Sequence, residues 1–429
     1  MPDMPGTRAE GDLLDTMRHE VAQLLHRQQL GFPGAQPVSF ASRHLLELQK
    51  QDYYVCEKSD GIRCLMYLTE DGHGTQVVYL IDRKNDYYFV PDLHFPKHME
   101  QERERDIHTG TLIDGELVND TQRDGSVQLR YLVFDLMVLD DNSLMHRTLD
   151  KRLAYFTERI NGPYKALLKR YPEETRFAPF LVDLKDMEFA YGCAKMFHAI
   201  LPKLAHGNDG LIFTCRNTPY QSGTDPHILK WKPKEDNSVD FRLFFEWPMV
   251  QPDAEDLANG DTEPYPDYYQ KPIFHLAVNM GKDGDVPHGT MTVDDDGWED
   301  MKAIGEPLDE RIVECYQDEQ QQWRFLRWRN DKNEPNYITT VDSVMDSIRD
   351  SVTMEQLIVN DKPVREAYKK RQTPEALRAK AEAEKAMAAA QRAPNGHAQT
   401  NGHREVSLKR KFEEGDEGGT EETKKVRAP

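Results

Sequence analysis

Cysteine is scarce in this chain and poorly placed for metal or disulfide chemistry. The five cysteines, Cys56, Cys64, Cys193, Cys215 and Cys315, are odd in number, far apart and never in C-x-x-C spacing. That pattern fits a reducing compartment and argues against a structural zinc site. Long hydrophobic runs are missing too: no stretch approaches the ~20 apolar residues of a membrane span, so no membrane partner is expected. The first residues, 1–11, lack the apolar core of a secretory signal. Positive charge is in deficit, with a formal net charge of −20. A nucleic-acid coat protein is expected to be basic, so the balance excludes a general coat and leaves room only for a local basic cleft. No internal repeat is evident.

What is present suffices for sizeable cores. The chain has 429 residues, 38% hydrophobic and 30% charged, a length that as a prior implies two to three domains. Leu13 to Leu30 reads as an amphipathic helix stopped by Gly31-Phe32-Pro33-Gly34. From Tyr53 to Trp247 short β-rich runs recur at 77–82, 111–118, 129–139, 210–214, 227–232 and 241–247, with helical stretches at 151–170 and 188–204 between them. This is an α+β pattern. The run 248–269, rich in proline and acids, reads as an exposed insertion. A second β-rich set follows at 273–278, 290–293, 312–317 and 322–329, and suggests a small barrel such as an OB-fold. Residues 341–359 look helical. Past Thr373 the chain turns Ala/Glu/Lys-rich and then Gly/Asn/Glu-rich, as a short helix fading into disorder would. The expected domains are 1–239, a barrel at 240–345 carrying the insertion, a C-terminal helix at 346–372 and a flexible tail at 373–429.

The chemistry-bearing segments stand at strand ends. Glu57-Lys58-Ser59-Asp60-Gly61-Ile62-Arg63 sets a lysine beside an acid, a glycine and an arginine. Asp-Gly is also a common hairpin turn, so a surface turn is the plain alternative. Tyr79–Arg83 closes one strand. Leu112–Val118, with Asp114-Gly115-Glu116, is a strand carrying a turn and an acid. Tyr131–Asp135 and Asp209–Thr214 are further strands. In Leu229-Lys230-Trp231-Lys232-Pro233 the two lysines sit at i, i+2 and so share one strand face. In Trp323–Lys332, Arg327 and Arg329 share a face in the same way. Each segment alone has a bland reading: a solvated lysine face, an ordinary core phenylalanine at Phe134, a surface ion pair at Glu116.

Taken in order, KxDGxR, LIDR, DGELV, YLVFD, DGLIF, LKWKP and WRFLRWRNDK resemble the covalent nucleotidyltransferase superfamily of polynucleotide ligases and mRNA capping enzymes. The set is most similar to capping guanylyltransferases, of the stand-alone alpha-subunit type found in fungi. The resemblance covers roughly residues 31–336. It implies a nucleotidyltransferase domain of antiparallel sheets with flanking helices, ATP-grasp/ligase-like, plus an OB-fold barrel. It implies that Lys58 attacks the α-phosphate of GTP, expels pyrophosphate and carries GMP to the 5′-diphosphate end of RNA. Arg63, Lys230 and Lys232 are the cations expected beside that lysine, to depress its pKa and neutralise phosphate. By the same resemblance Arg83 and Glu116 meet the ribose, Phe134 stacks on guanine, and Asp209 with Glu116 holds Mg²⁺ or Mn²⁺. Arg327, Arg329, Asp331 and Lys332 reach the β- and γ-phosphates when the cleft closes about a hinge near 234–239. Asp60 is either an acid beside the nucleophile or a turn residue.

The implied partners are GTP, 5′-diphosphate RNA, a separate RNA 5′-triphosphatase (beta subunit) in a heterodimer or heterotetramer, and the phosphorylated C-terminal domain of RNA polymerase II. The basic clusters at 407–412 and 424–427 suit nuclear localisation signals, with solvated tail charge as the alternative. Two rivals stay open at this level: an ATP-dependent DNA or RNA ligase, and a catalytically dead relative serving as an RNA-binding scaffold.

Overall fold

The protein's structure, a computed structural model, describes residues 2–98, 106–173, 176–259 and 262–392. The chain divides into two compact units, Met1–Gln372 and Thr373–Pro429. In the second unit the described part is one helix, Pro374–Arg392. The rest of the expected tail, with both basic clusters, lies outside the described residues. Among the described residues no helix is long and apolar enough to cross a membrane.

The first unit contains two sheets and a barrel. The larger sheet has eight strands, running Thr7–Arg8, Tyr87–Val90, Gln76–Ile81, Ile62–Glu70, Thr111–Thr121, Val127–Leu139 and Leu181–Leu184, with Asn142–Ser143 paired alongside. The smaller has five: Glu188–Phe189, Tyr53–Ser59, Asn208–Cys215, Gly223–Trp231 and Ala35–Ser39. Neighbours are antiparallel except at one edge of each sheet, where Leu181–Leu184 and Ala35–Ser39 pair in parallel. Ser238–Glu246, Ile273–Asn279, Asp285–Met291, Trp323–Trp328 and Ile312–Gln317 form a closed five-stranded barrel in that order. Closure leaves no sheet edge open.

Period-two alternation decides which residues reach the cleft between the sheets. On three adjacent strands of the small sheet the odd-numbered apolar residues Val55, Leu211, Phe213, Leu229 and Trp231 are buried in one cluster. Each such side chain contributes about 1.5–3 kcal/mol on burial. The even-numbered residues Cys56, Lys58, Ile212, Thr214 and Ile228 therefore face the opposite way and line a common cavity. Strand Tyr53–Ser59 then leaves the small sheet through Asp60 and Gly61, and the chain enters the large one at Ile62. Gly61 is required there, because a Cβ would stand 2.2 Å from the Leu117 carbonyl oxygen.

Several elements differ from the sequence reading. Asp114-Gly115 is not a turn: strand Thr111–Thr121 runs through it with a register shift. Its glycine makes room for the Tyr131 ring, which a Cβ would approach to 2.6 Å. The stretch 341–359 is two helices, Ile338–Arg349 and Met354–Arg371. The second starts at a capping box, in which Thr353 Oγ1 accepts from Gln356 N at 3.2 Å while Gln356 Oε1 accepts from Thr353 N at 2.8 Å. It then packs on the small sheet rather than the barrel, with Leu357 and Val364 buried beside Phe213. Asp361 fastens it by accepting from Cys193 N and Ala194 N at 3.0 and 2.9 Å. The insertion carries the strand pair Met249–Val250 and Tyr265–Pro266 and a helix, Ala254–Asn259.

Candidate functional site

The Lys58 ammonium is fixed by one carboxylate. It donates to Asp209 Oδ1 at 2.6 Å, and Lys232 donates to Asp209 Oδ2 at 2.7 Å. Burial pushes the Asp209 carboxyl up, but the Lys232 and Lys58 hydrogen bonds outweigh it and leave its pKa lowered. Asp209 is carried here by strand Asn208–Cys215, whose Gly210 adopts φ +145° and would place a Cβ 2.0 Å from the Trp231 carbonyl oxygen. Lys230 has no ion-pair partner among the described residues. Burial and the charges of Lys232, Lys58 and Arg83 lower its pKa, as expected of a cation awaiting an anion.

Behind Lys58 lies a cavity of about 120 Å³ lined by Arg63, Arg83, Glu116, Phe134 and Lys185, among others. Arg83 projects from a tight loop in which Asp82 Oδ1 accepts from Lys84 N and Asp86 N, both at 2.9 Å. Burial and the nearby Arg63 charge lower the Arg83 pKa. Burial raises the Glu116 carboxyl, with Lys185 and Lys58 partly offsetting it. The Glu116 and Arg83 side chains have no hydrogen-bond partner among the described residues, so each is free to meet a ligand. Phe134 carries the Arg63 guanidinium 5.3 Å from its ring centroid, which occupies one face of the ring.

Arg63, expected among the cations acting on Lys58 and on phosphate, lines the cavity. It makes a bidentate bridge to Asp114, Nε to Oδ1 at 3.1 Å and Nη2 to Oδ2 at 2.8 Å, and also donates to the Ala35 carbonyl. Tyr220 completes the group by donating its hydroxyl to Asp114 Oδ2 at 2.6 Å. The guanidinium is paired within the wall, and through Asp114 and Tyr220 Arg63 braces the cavity. Asp60 is exposed and its backbone N–H donates to the Gly207 carbonyl at 2.9 Å; the turn reading describes it.

Arg327, Arg329, Asp331 and Lys332 do not line the cavity. They are paired with barrel carboxylates and with one another. Arg327 Nε donates to Glu314 Oε2 at 2.6 Å, Arg329 Nη1 to Asp240 Oδ1 at 2.8 Å, and Arg329 Nη2 to Asp331 Oδ2 at 2.8 Å. Lys332 also bonds Asp240.

Sequence reasoning missed Lys185. It follows the parallel edge strand Leu181–Leu184 and is 4% exposed, yet lines the cavity. Its ammonium donates to Ser59 Oγ at 2.6 Å and lies 3.3 Å from Glu57 Oε1. Burial lowers its pKa, but Cys56, Glu57 and Glu116 together leave it raised. Behind it His206 bridges Asp120 at 2.8 Å and Glu57 at 3.4 Å. Neither Lys185 nor His206 belongs to a periodic pattern; only the edge pairing reveals them.

For a divalent metal, no cluster of three or more acidic, histidine or cysteine ligands exists among the described residues. Mg²⁺ commonly takes one or two carboxylates and completes its shell with water and substrate phosphate. The Glu116 carboxylate, whose side chain has no hydrogen-bond partner among the described residues, and Asp209, now held by two lysines, are carboxylates of that kind.

Comparison with known proteins gives a consistent result. The model of the mRNA capping enzyme catalytic domain matches residues 2–234, and that of the mRNA capping enzyme C-terminal domain matches residues 236–358. The mRNA-capping enzyme subunit alpha of Neurospora crassa is 49% identical over 378 residues, covering 85% of this chain and 93% of the relative. The protein of the same name from Schizosaccharomyces pombe is 44% identical, covering 88% and 91%. That from Saccharomyces cerevisiae is 36% identical, covering 84% and 86%.

Proposed function

The chain belongs to the mRNA capping enzyme family, and from that premise we propose that it is a GTP:RNA guanylyltransferase working through a lysyl–GMP intermediate. The observation that carries the reading is the Lys58–Asp209–Lys232 clasp beside the cavity that Lys58 and Arg83 line, with Lys230, which has no ion-pair partner among the described residues, two residues before Lys232. In the first step the Lys58 ammonium gives up a proton, with Asp209 Oδ1 the acceptor in reach. Its nitrogen bonds the α-phosphorus, and the bond to the bridging oxygen breaks to release pyrophosphate. In the second, a β-phosphate oxygen of RNA bonds that phosphorus, the P–N bond breaks and Lys58 regains a proton.

Splitting one substitution in two is the gain from covalent catalysis. Phosphoryl chemistry otherwise asks for positioning and charge stabilisation, which Lys230, Lys232 and Arg83 supply. Glu116 and Asp209 would hold a divalent metal, which neutralises phosphate charge when bound. Phe134 offers a base the ring face that Arg63 leaves open. Lys185 favours guanine, because its donors suit the O6 and N7 acceptors, whereas adenine presents an amino donor at position 6.

The subunit alpha names of the relatives support a partner subunit, which we take to be a separate RNA 5′-triphosphatase. Docking to the phosphorylated polymerase tail and a nuclear location complete the proposal. Incubation with α-labelled GTP and ATP in separate reactions tests it. Protein labelling by GTP alone is expected. Labelling by ATP alone would convert the reading to a ligase, and labelling by neither would end it.

A further inference from the structure

The barrel motif is electrically neutral as it stands. Of its four cations, Arg324 pairs with Asp318, and Arg327, Arg329 and Lys332 are matched by three carboxylates, Glu314, Asp240 and Asp331. The two halves of that array differ. Arg329 is 15% exposed and anchored on Asp240 and Asp331 by bonds of 2.8 to 3.0 Å, so it is a cross-piece of the barrel. Arg327 is 63% exposed, and its ion-pair partner is Glu314, whose side chain is 11% exposed. Glu314 is itself held from the far side, because the Ser238 hydroxyl donates to Oε1 while Oε2 faces the arginines. Ser238 opens the barrel directly after the segment that carries Lys230 and Lys232.

We propose that Glu314 is a positioning residue that competes with substrate phosphate for Arg327, so that the arginine engages the triphosphate only by exchanging one anion for another. This rests on the lysyl–nucleotide reading given above and on the contact of Arg327 with the β- and γ-phosphates that the motif resemblance implies. Ser238 and the strand pairing keep Glu314 in place while Arg327, on its exposed stem, turns. The same competition draws Arg327 back once pyrophosphate leaves, which favours release over reversal. Removing the competing charge should tighten both triphosphate and pyrophosphate. Because the pair is solvent-exposed on the arginine side, the effect is that of an exposed ion pair, about two- to fivefold.

The test uses the full chain and the initial rate of lysyl–GMP formation against GTP concentration. Glu314→Gln should lower the KM for GTP about two- to fivefold, and lower by a similar factor the pyrophosphate concentration that half-reverses loading. Glu314→Asp, which keeps the charge at shorter reach, should fall between the two and serves if the glutamine variant does not fold. In an Arg327→Gln background the Glu314→Gln effect should vanish. A KM equal to wild type or higher, or an effect of Glu314→Gln that persists without Arg327, would overturn the proposal. If the wild-type chain forms no adduct with GTP, the underlying reading fails instead, and the two failures are thereby distinct.

Discussion

Replacing Asp114 by asparagine separates bracing from catalysis at Arg63. Asp114 is fully buried and the Arg63 side chain is 10% exposed. The carboxylate accepts two bonds from Arg63 and one from Tyr220. Asparagine keeps the volume but turns one acceptor into a donor facing a guanidinium, and leaves a buried cation without its counter-charge. Breaking a buried pair in this way costs about 3–5 kcal/mol. With a urea dependence of about 3 kcal/mol per molar, the unfolding midpoint should fall by about 1–2 M. Far-UV circular dichroism is a suitable probe, since both sheets carry the signal. GTP loading, measured at a temperature where the variant is folded, should fall because Phe134 and the cavity wall lose their brace. A midpoint shift below about 0.3 M, or faster loading from a freed Arg63, would refute the bracing role.

Two other perturbations follow from charge placement. Lys230 is a cation held in its disfavoured state by burial and by neighbouring cations, so Lys230→Met should raise the melting temperature by about 1–2 °C while severely reducing adduct formation; a lower melting temperature with loading intact would contradict this. Burial lowers the His206 pKa, but hydrogen bonds to Glu57 and Asp120 leave it raised above 6.5. Its stabilisation is therefore complete below pH 6.5 and lost as pH rises through the folded-state value. The stability gap between wild type and His206→Asn, followed by denaturant melts, should shrink as pH rises from 6.5, and a gap that widens would reject the network.

The structure brings several of the sequence's candidate residues together because they repeat at the strand period. Lys58, Lys230, Lys232 and Asp209 stand near strand ends in local motifs, and period two places the first three on the cleft side. What was illegible depends on pairings between distant segments. Nothing near Asp114 announces that its carboxylate accepts from Arg63 and Tyr220. Lys185 reaches the cavity only because Leu181–Leu184 pairs in parallel with Val127–Leu139. The barrel motif showed its cations in sequence, but not that Asp240 and Glu314, from two other strands, hold them. The helix Met354–Arg371 reads as a separate element in sequence, yet it packs on the catalytic half through Leu357, Val364 and Asp361.

The most direct test of the central claim is to map the nucleotide on the protein. The full chain is loaded with GTP, digested, and the acid-labile adduct is located by peptide mass spectrometry. The account predicts a single phosphoramidate on the Nζ of Lys58, discharged by pyrophosphate. An adduct on Lys230, Lys232 or any other residue, or one that pyrophosphate does not reverse, would contradict it.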